Sequence, residues 1–430
     1  MSAGQPPAST DPGAARPSIE ERLAAAGLPP LPRLAWLELD LDALIANLAS
    51  LRSAAGGVAT YPVVKADAYG HGAVPIARAL VGAGADGLSV ATFDEAGALR
   101  DAGIEAPIRV LYPVPPDVAV AAARQRITLA AGDAQSVAAT LAAADAGGVG
   151  RDSVPPLELE IEVETGLGRG GAMPEDIAGI ARMISDAPGA RLVGMWTHLQ
   201  ASEDEPRTAG QIERFETATW LLEAARIPVP PRHVASSGGI LTGVPAYDGI
   251  RPGLSIYGIG PDELAGQALP PGGDLGAAAL RPVMSIHARP ARVVDLPAGH
   301  GISYGPSFTT ERPSRIATLP LGYGDGFGRS MANKAHALVR GIRVPLVGNI
   351  TMDGVMADVT DVPGAPVTTA DEFVLMGSQG AGSITVADLA RLRTTNTWEV
   401  VTQMSARMPR VYHAAAGAVV ELRTLTRWRG

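Results

Sequence analysis

Between residue 35 and about residue 260 the chain alternates short apolar runs with longer amphipathic stretches, and nothing else constrains its fold as strongly. The runs Tyr61–Lys65, Gly87–Ala91, Ile108–Tyr112, Ile127–Ala130, Leu157–Val163, Leu192–His198 and His233–Ser236, with a weaker one at Ile250, have the length and composition of buried strands. Phe93–Ala102, Asp117–Gln125, Ala134–Ala144, Glu175–Ser185 and Gln211–Ala225 between them have helical character. About eight strand–helix repeats predict an α/β fold, a parallel (β/α)8 TIM-like barrel, with a doubly wound open sheet as the competitor. Past Pro270-Pro271-Gly272-Gly273 the texture changes. Val283–Val294, Ile316–Leu321, Ala337–Val347, Val355–Val359, Phe373–Met376 and Trp398–Met404 are strand-like, interrupted by one short helix at Val386–Leu392. A mostly antiparallel β domain is expected there. The expected division is a flexible extension over 1–34, a barrel domain over 35–275 and a C-terminal β domain over 276–430. The first strand, near Trp36, is a candidate to join the β domain. Within the extension, Ser18-Ile-Glu-Glu21 has the form of a capping box opening a short helix that Gly27 ends.

With 430 residues, 46% apolar and 18% charged, the chain can bury two cores. A net charge of −9 argues against nucleic acid as the main partner. No run of about 18 apolar residues is present, so no membrane span is expected. Cysteine is absent, which removes disulfides, thiolate nucleophiles and cysteine metal sites. The histidines lack HExxH spacing, so no metal centre is expected. Without a charged n-region and apolar h-region at the start, a cytoplasmic location is expected.

Of the 35 basic residues only two are lysines, Lys65 and Lys334. A lysine retained where arginine is the habitual cation points to chemistry arginine cannot supply: an amine that sheds its proton and attacks a carbonyl. Lys334 sits in a polar stretch and needs no role beyond surface charge. Lys65 ends an apolar strand and precedes the loop Ala66-Asp-Ala-Tyr69-Gly-His-Gly72, which puts it at the catalytic mouth of a barrel. There it could form a Schiff base with an aldehyde cofactor such as pyridoxal phosphate; the bland alternative is a buried ion pair with Asp67. Arg169, His198, Ser237 and the run Arg251-Pro-Gly253-Leu254 stand at other strand ends, the last two offering a hydroxyl and backbone N–H groups for a phosphate. Gly166-Leu-Gly168-Arg-Gly-Gly171 imitates a dinucleotide fingerprint, but no helix is expected at its third glycine, so a nucleotide site is disfavoured.

Val64-Lys65-Ala-Asp-Ala-Tyr69-Gly-His-Gly72 resembles the cofactor-lysine signature of bacterial alanine racemases, the fold-type III pyridoxal phosphate enzymes. The resemblance runs from Trp36 to Tyr412 through Thr165-Gly-Leu-Gly-Arg169, Thr197-His198, Arg251-Pro-Gly253, Ser303-Tyr304-Gly305, Gly322-Tyr323-Gly-Asp-Gly326, Met352-Asp353 and Arg407-Met-Pro-Arg410. It implies a homodimer with shared active sites, acting on a small amino acid. Lys65 would carry the cofactor and be one base, with Tyr304 of the partner subunit the other. Tyr69, Ser237, Gly253, Leu254 and Trp398 would meet the phosphate, and Arg251, linked to His198, the ring nitrogen. Arg169, Met352 and Tyr323 would face the substrate, and Leu111 the ring. Three departures stand out. Glu162 replaces a lysine that many members carbamylate, Trp398 replaces a tyrosine, and Thr351 stands where cysteine is common. The resemblance implies interconversion of L- and D-alanine for peptidoglycan. Racemisation of another small amino acid such as serine, or a non-catalytic cofactor-binding barrel, are the alternatives.

Overall fold

A computed structural model describes residues 16–151, 154–265, 280–415 and 417–426. Strand β1 (Ala35–Asp40) precedes eight short strands: β2 (Ala59–Thr60), β3 (Leu88–Val90), β4 (Ile108–Val110), β5 (Ile127–Ala131), β6 (Leu157–Glu162), β7 (Ala190–Trp196), β8 (Arg232–Ser236) and β9 (Gly249–Arg251). They pair in the order β2-β9-β8-β7-β6-β5-β4-β3, all parallel. The two ends of that series meet where Val63 bridges Ser89, so the sheet closes on itself and the open-sheet alternative falls. Helices on the outside bury one apolar stripe each. Over Ile177–Asp186 the stripe is Ile177, Ile180, Ala181 and Ile184, spaced three and four apart as a helix face requires.

Ten further strands follow: β10 (Met284–Ala288), β11 (Arg292–Leu296), β12 (Ser314–Leu319), β13 (His336–Val339), β14 (Ile342–Val347), β15 (Val355–Asp358), β16 (Phe373–Gln379), β17 (Gly382–Ile384), β18 (Arg410–Ala414) and β19 (Ala418–Arg423). With β1 they form one mostly antiparallel sheet. Strand β1 lies inside it, antiparallel to β10 and parallel to β18, so Trp36 belongs to this sheet and not to the barrel. The apolar run 283–294 divides into β10 and β11 at Pro290, which has no N–H for a ladder. The run 337–347 is a hairpin turning at Arg340-Gly341, both at positive φ.

One expectation is overturned. Residues 398–404 are not a strand: Thr397–Thr402 is a helix. Its β-branched Val400 and Val401 suit either state, but Asn396 Oδ1 accepts from Glu399 N–H at 2.9 Å and Asp262 Oδ2 from Thr397 N–H at 2.9 Å. Two capped donors favour the helix. Strands β18 and β19 were not among the expected runs.

The capping box at Ser18 and Glu21 is present and opens the helix Ile19–Ala25. Ile19 and Leu23 bury against Trp36, Val411 and Val419, so this part of the 1–34 segment is docked on the β sheet. Residues 1–15 and the expected boundary at Pro270–Gly273 lie outside the described residues. Among the described residues no helix is long and apolar enough to cross a membrane.

Candidate active site

The carboxyl ends of the barrel strands surround a cavity of about 430 Å³. Lys65, Tyr69, Leu111, Arg169, His198, Ser237, Arg251, Gly253, Leu254 and Trp398 all line it, drawn from a stretch of more than 330 residues. Tyr304, Tyr323 and Met352 do not. They stand exposed on the β domain, at 79%, 42% and 51%.

Lys65 is aimed by an unusual turn. Ala66, Asp67, Ala68 and Tyr69 all adopt left-handed helical angles, with φ between 52° and 54°. Each such residue costs roughly 1–2 kcal/mol, so surrounding contacts must hold the turn. Glu95 Oε1 accepts from Ala66 N–H at 2.6 Å, and Asp67 Oδ1 from Ala73 N–H at 2.8 Å. From the β domain, Arg423 reaches Asp67 at 3.1 Å, Arg410 Nε donates to Gly70 O at 3.0 Å, and Tyr412 Oη donates to His71 O at 2.9 Å. Gly70 and Gly72 are required there: a Cβ would lie 2.1 Å from Val401 O and 2.0 Å from Tyr412 Oη respectively. Asp67 is thus spent on Arg410, Arg423 and Ala73, which removes the bland Lys65–Asp67 pair. Burial, then the charge of Arg169, pushes the Lys65 amine below its ordinary value, with Glu95 opposing. An amine so placed gives up its proton more readily than a free lysine. Lys334, by contrast, is exposed.

Arg251 is buried and both of its terminal nitrogens are engaged, one of them by His233 where a link to His198 was expected. It donates to His233 Nδ1 at 2.5 Å, to His233 O at 2.7 Å and to Thr197 O at 2.7 Å, and lies over the Trp196 ring at 4.8 Å. Behind it runs a chain missed in the sequence: His233 Nε2 donates to Glu160 Oε2 at 3.2 Å, and Arg109 Nε to Glu160 Oε1 at 2.6 Å. Burial alone would raise the Glu160 carboxyl, but Arg109 and His233 outweigh it and hold it at about 2. Burial lowers His233 to about 4 against the pull of Glu160, so its ring is neutral and presents Nδ1 as an acceptor to Arg251. His198 is pushed down to about 3 by burial, then by Arg251, Arg169 and Lys65. The signal for Glu160 was present: Leu157-Glu-Leu-Glu-Ile-Glu162 alternates with period two, which turns Glu158, Glu160 and Glu162 to one face. Gly194 makes the room, since a Cβ there would meet Glu160 Oε1 at 2.6 Å.

Arg169 Nη2 lies 3.2 Å from Glu162 Oε1, so the departure at 162 sets a carboxyl beside Arg169. Burial raises the Glu162 carboxyl, with Arg169 opposing. At the far wall Ser237 Oγ accepts from Gly253 N–H at 3.0 Å and Ser255 N–H at 3.1 Å. The Gly253 N–H expected at a phosphate is therefore engaged by Ser237, while Leu254 opens a short 3₁₀ turn whose first N–H has no intrahelical acceptor. After Gly166–Gly171 comes a 3₁₀ turn at Pro174–Asp176 and then the helix Ile177–Asp186, so no helix opens at the third glycine and the nucleotide fingerprint is a coincidence.

A model of the alanine racemase N-terminal domain matches residues 39–261, and one of the C-terminal domain matches 283–412. An alanine racemase of Symbiobacterium thermophilum is 38% identical over 383 residues, covering 88% of this chain and 97% of its own. The chain belongs to the alanine racemase family. It is thereby a racemase, an isomerase, and its relatives support alanine as substrate. Among alanine racemase structures, that from Bacillus anthracis with bound L-Ala-P superposes with a TM-score of 0.81 at 30% identity, covering 92% of this chain and 98% of that one. A histidine racemase from Leuconostoc mesenteroides shares the fold, with a TM-score of 0.79 at 27% identity and coverage of 90% and 99%.

Proposed function

We propose that the chain interconverts L- and D-alanine with pyridoxal 5′-phosphate, as a cytoplasmic homodimer supplying D-alanine for peptidoglycan. The observation that carries this reading is the Lys65 amine, depressed by burial and Arg169 and not paired with Asp67, in one cavity with Arg251 and the Ser237–Leu254 wall. That donor set fits the cofactor: an amine for its aldehyde, a guanidinium for its ring nitrogen, and Ser237, Tyr69 and Leu254 N–H for its phosphate. Trp398 contributes an indole N–H where a phenol is usual. When bound, the cofactor withdraws electrons from the substrate's α-carbon and so eases loss of the α-proton.

The chain's residues do the rest. Arg169 orients the substrate carboxylate, helped on the partner side by Met352. Lys65 Nζ takes or returns the proton on one face of the α-carbon, and Tyr304 Oη of the partner subunit does so on the other. In a two-base scheme one face gives up a proton and the other receives one, which inverts the α-carbon. A free tyrosine has a pKa of about 10, so Tyr304 needs a neutral acceptor and nearby positive charge. His198, held neutral by burial and by Arg251, is the acceptor, and Arg251 supplies the charge. Tyr323 narrows the entrance.

A panel of L-amino acids incubated in D₂O with protein and cofactor, scored by chiral chromatography, tests this. D-alanine carrying deuterium at the α-carbon is the expected product, and no turnover of alanine would overturn it. Racemisation of another small amino acid such as serine is the second reading, favoured by Trp398 and Glu162 at the site; the related histidine racemase supports the family's latitude in side chain. An idle cofactor-binding barrel is disfavoured by retention of the β domain with Tyr304 and Met352.

A further inference from the structure

The three exposed side chains Tyr304, Tyr323 and Met352 stand on loops that are tied to one another. Asn349 Nδ2 donates to Tyr304 O at 2.8 Å and Gly305 O at 3.2 Å, and Ser303 Oγ donates to Asn349 O at 2.6 Å. Tyr323 N–H donates to Thr351 O at 3.1 Å and Gly324 N–H to Met352 O at 3.0 Å. At the base of this cluster lies Asp325, 1% exposed. Its carboxylate receives Gly322 N–H at 3.0 Å and Arg407 Nε at 2.7 Å, while Arg407 Nη2 reaches across to Asp353 at 2.5 Å.

The remaining donors come from a distant part of the chain. Arg33 grips both oxygens of Asp325, Nη1 to Oδ1 at 2.7 Å and Nη2 to Oδ2 at 3.1 Å, and donates to Pro320 O at 2.8 Å and Arg407 O at 3.4 Å. Arg33 lies before the residues that the N-terminal domain model matches, which begin at 39. It is presented by a stiff lead. The helix Ile19–Ala25 is anchored by Ile19 and Leu23 and by Arg22, which reaches Glu38 at 2.6 Å; Pro29, Pro30 and Pro32 then restrict the span to Arg33. A two-point guanidinium–carboxylate contact fixes orientation as well as distance.

We propose that Arg33 and the docked segment before it are a positioning element: by clamping Asp325 they hold the Tyr323 and Met352 turns as one unit, and so set how tightly substrate is received where those side chains act. The role in substrate reception rests on the racemase reading above, in which Tyr323 and Met352 complete the partner subunit's cavity; the clamp itself does not.

The test compares full-length wild type, Arg33→Met and Arg33→Lys by hydrogen exchange and by steady-state kinetics. In Arg33→Met the Tyr323 and Gly324 amides should exchange about tenfold faster while the β10–β16 ladder is unchanged. KM for the racemised amino acid should rise about three- to tenfold with kcat within twofold, because reception and not proton transfer is disturbed. Arg33→Lys should fall between, since an ammonium cannot bind both oxygens in fixed geometry. Unchanged exchange in Arg33→Met overturns the clamp. Faster exchange with unchanged KM, or parallel loss of kcat and of protection across the whole sheet, overturns its part in substrate reception. Wild type inactive on every amino acid would instead sink the racemase reading, and exchange would still decide the clamp.

Discussion

Replacing Glu160 with glutamine takes a charge out of the middle of the barrel, and the consequence can be worked from the structure. Arg109 and His233 hold this buried carboxyl at about 2 against an ordinary 4.5. That difference is worth about 3 kcal/mol of stability, present above pH 4.5 and lost as pH falls from 4.5 towards 2. A second route gives the same order: removing one partner of a buried ion pair costs about 3–5 kcal/mol, because the other charge stays buried. At about 2 cal/mol/K of unfolding entropy per residue, 3 kcal/mol lowers Tm by about 3 °C if the chain unfolds as a whole, and by about 6 °C if the barrel unfolds alone. The assay is thermal unfolding of wild type and Glu160→Gln from pH 7 down to pH 3. The gap should be widest at pH 7 and should narrow below pH 4.5, since the carboxyl of unfolded wild type then takes up a proton that the folded carboxyl, at about 2, does not, while the variant has nothing to protonate. Glu160→Gln within a degree of wild type at pH 7, or a gap that widens in acid, refutes the reasoning. The double variant Arg109→Met/Glu160→Gln should recover part of the loss, because Arg109 is no longer left buried without its partner.

Lys65→Arg keeps the charge but not the nucleophile. Borohydride treatment with pyridoxal phosphate, mapped by peptide, should label wild type at residue 65, while the variant keeps only what the exposed Lys334 and the α-amino group take up, with turnover down by about a thousandfold or more; wild type without label at residue 65 would refute the assignment. Glu162 already meets Arg169 at 3.2 Å, so bicarbonate should not stimulate wild type, and Glu162→Ala should lose about tenfold in kcat/KM, close to the worth of one charged hydrogen bond. Stimulation by bicarbonate would show that the missing carbamate is still needed. Trp398→Tyr, on the capped helix lining the cavity, should shift cofactor affinity or the preference between alanine and serine, measured by cofactor titration and the amino-acid panel; no change in either would make the exchange neutral.

Lys65, Arg169, His198, Ser237 and Arg251 were legible because each follows a strand in a chain that punctuates its strands with glycine-bearing loops, whereas Trp398, on the helix Thr397–Thr402, was legible only through the resemblance. Lys65 was legible because arginine is used almost everywhere else. Glu160, Arg109 and His233 were not. The Glu158-Glu160-Glu162 alternation shows that one face of β6 is charged, but not which residues of β4 and β8 neutralise it. That depends on strands whose paired residues lie 51 and 73 positions from Glu160 along the chain. Residues 397–402 suit strand or helix at Val400-Val401, and the Asp262 carboxylate that accepts from Thr397 N–H comes from a segment 135 residues away along the chain.

Local sequence by itself determined the period of the pattern, hence a barrel and a sheet, and the chemistry of one amine at a strand end. It did so because side-chain periodicity and the scarcity of lysine are one-dimensional properties. The tertiary structure decided where charge is neutralised and which strained turns persist. The left-handed turn after Lys65 survives only because Arg410, Tyr412 and Arg423 of the β domain grip it. Burial and pairing depend on what lies a few ångströms away in space, and no neighbour along the chain can supply that.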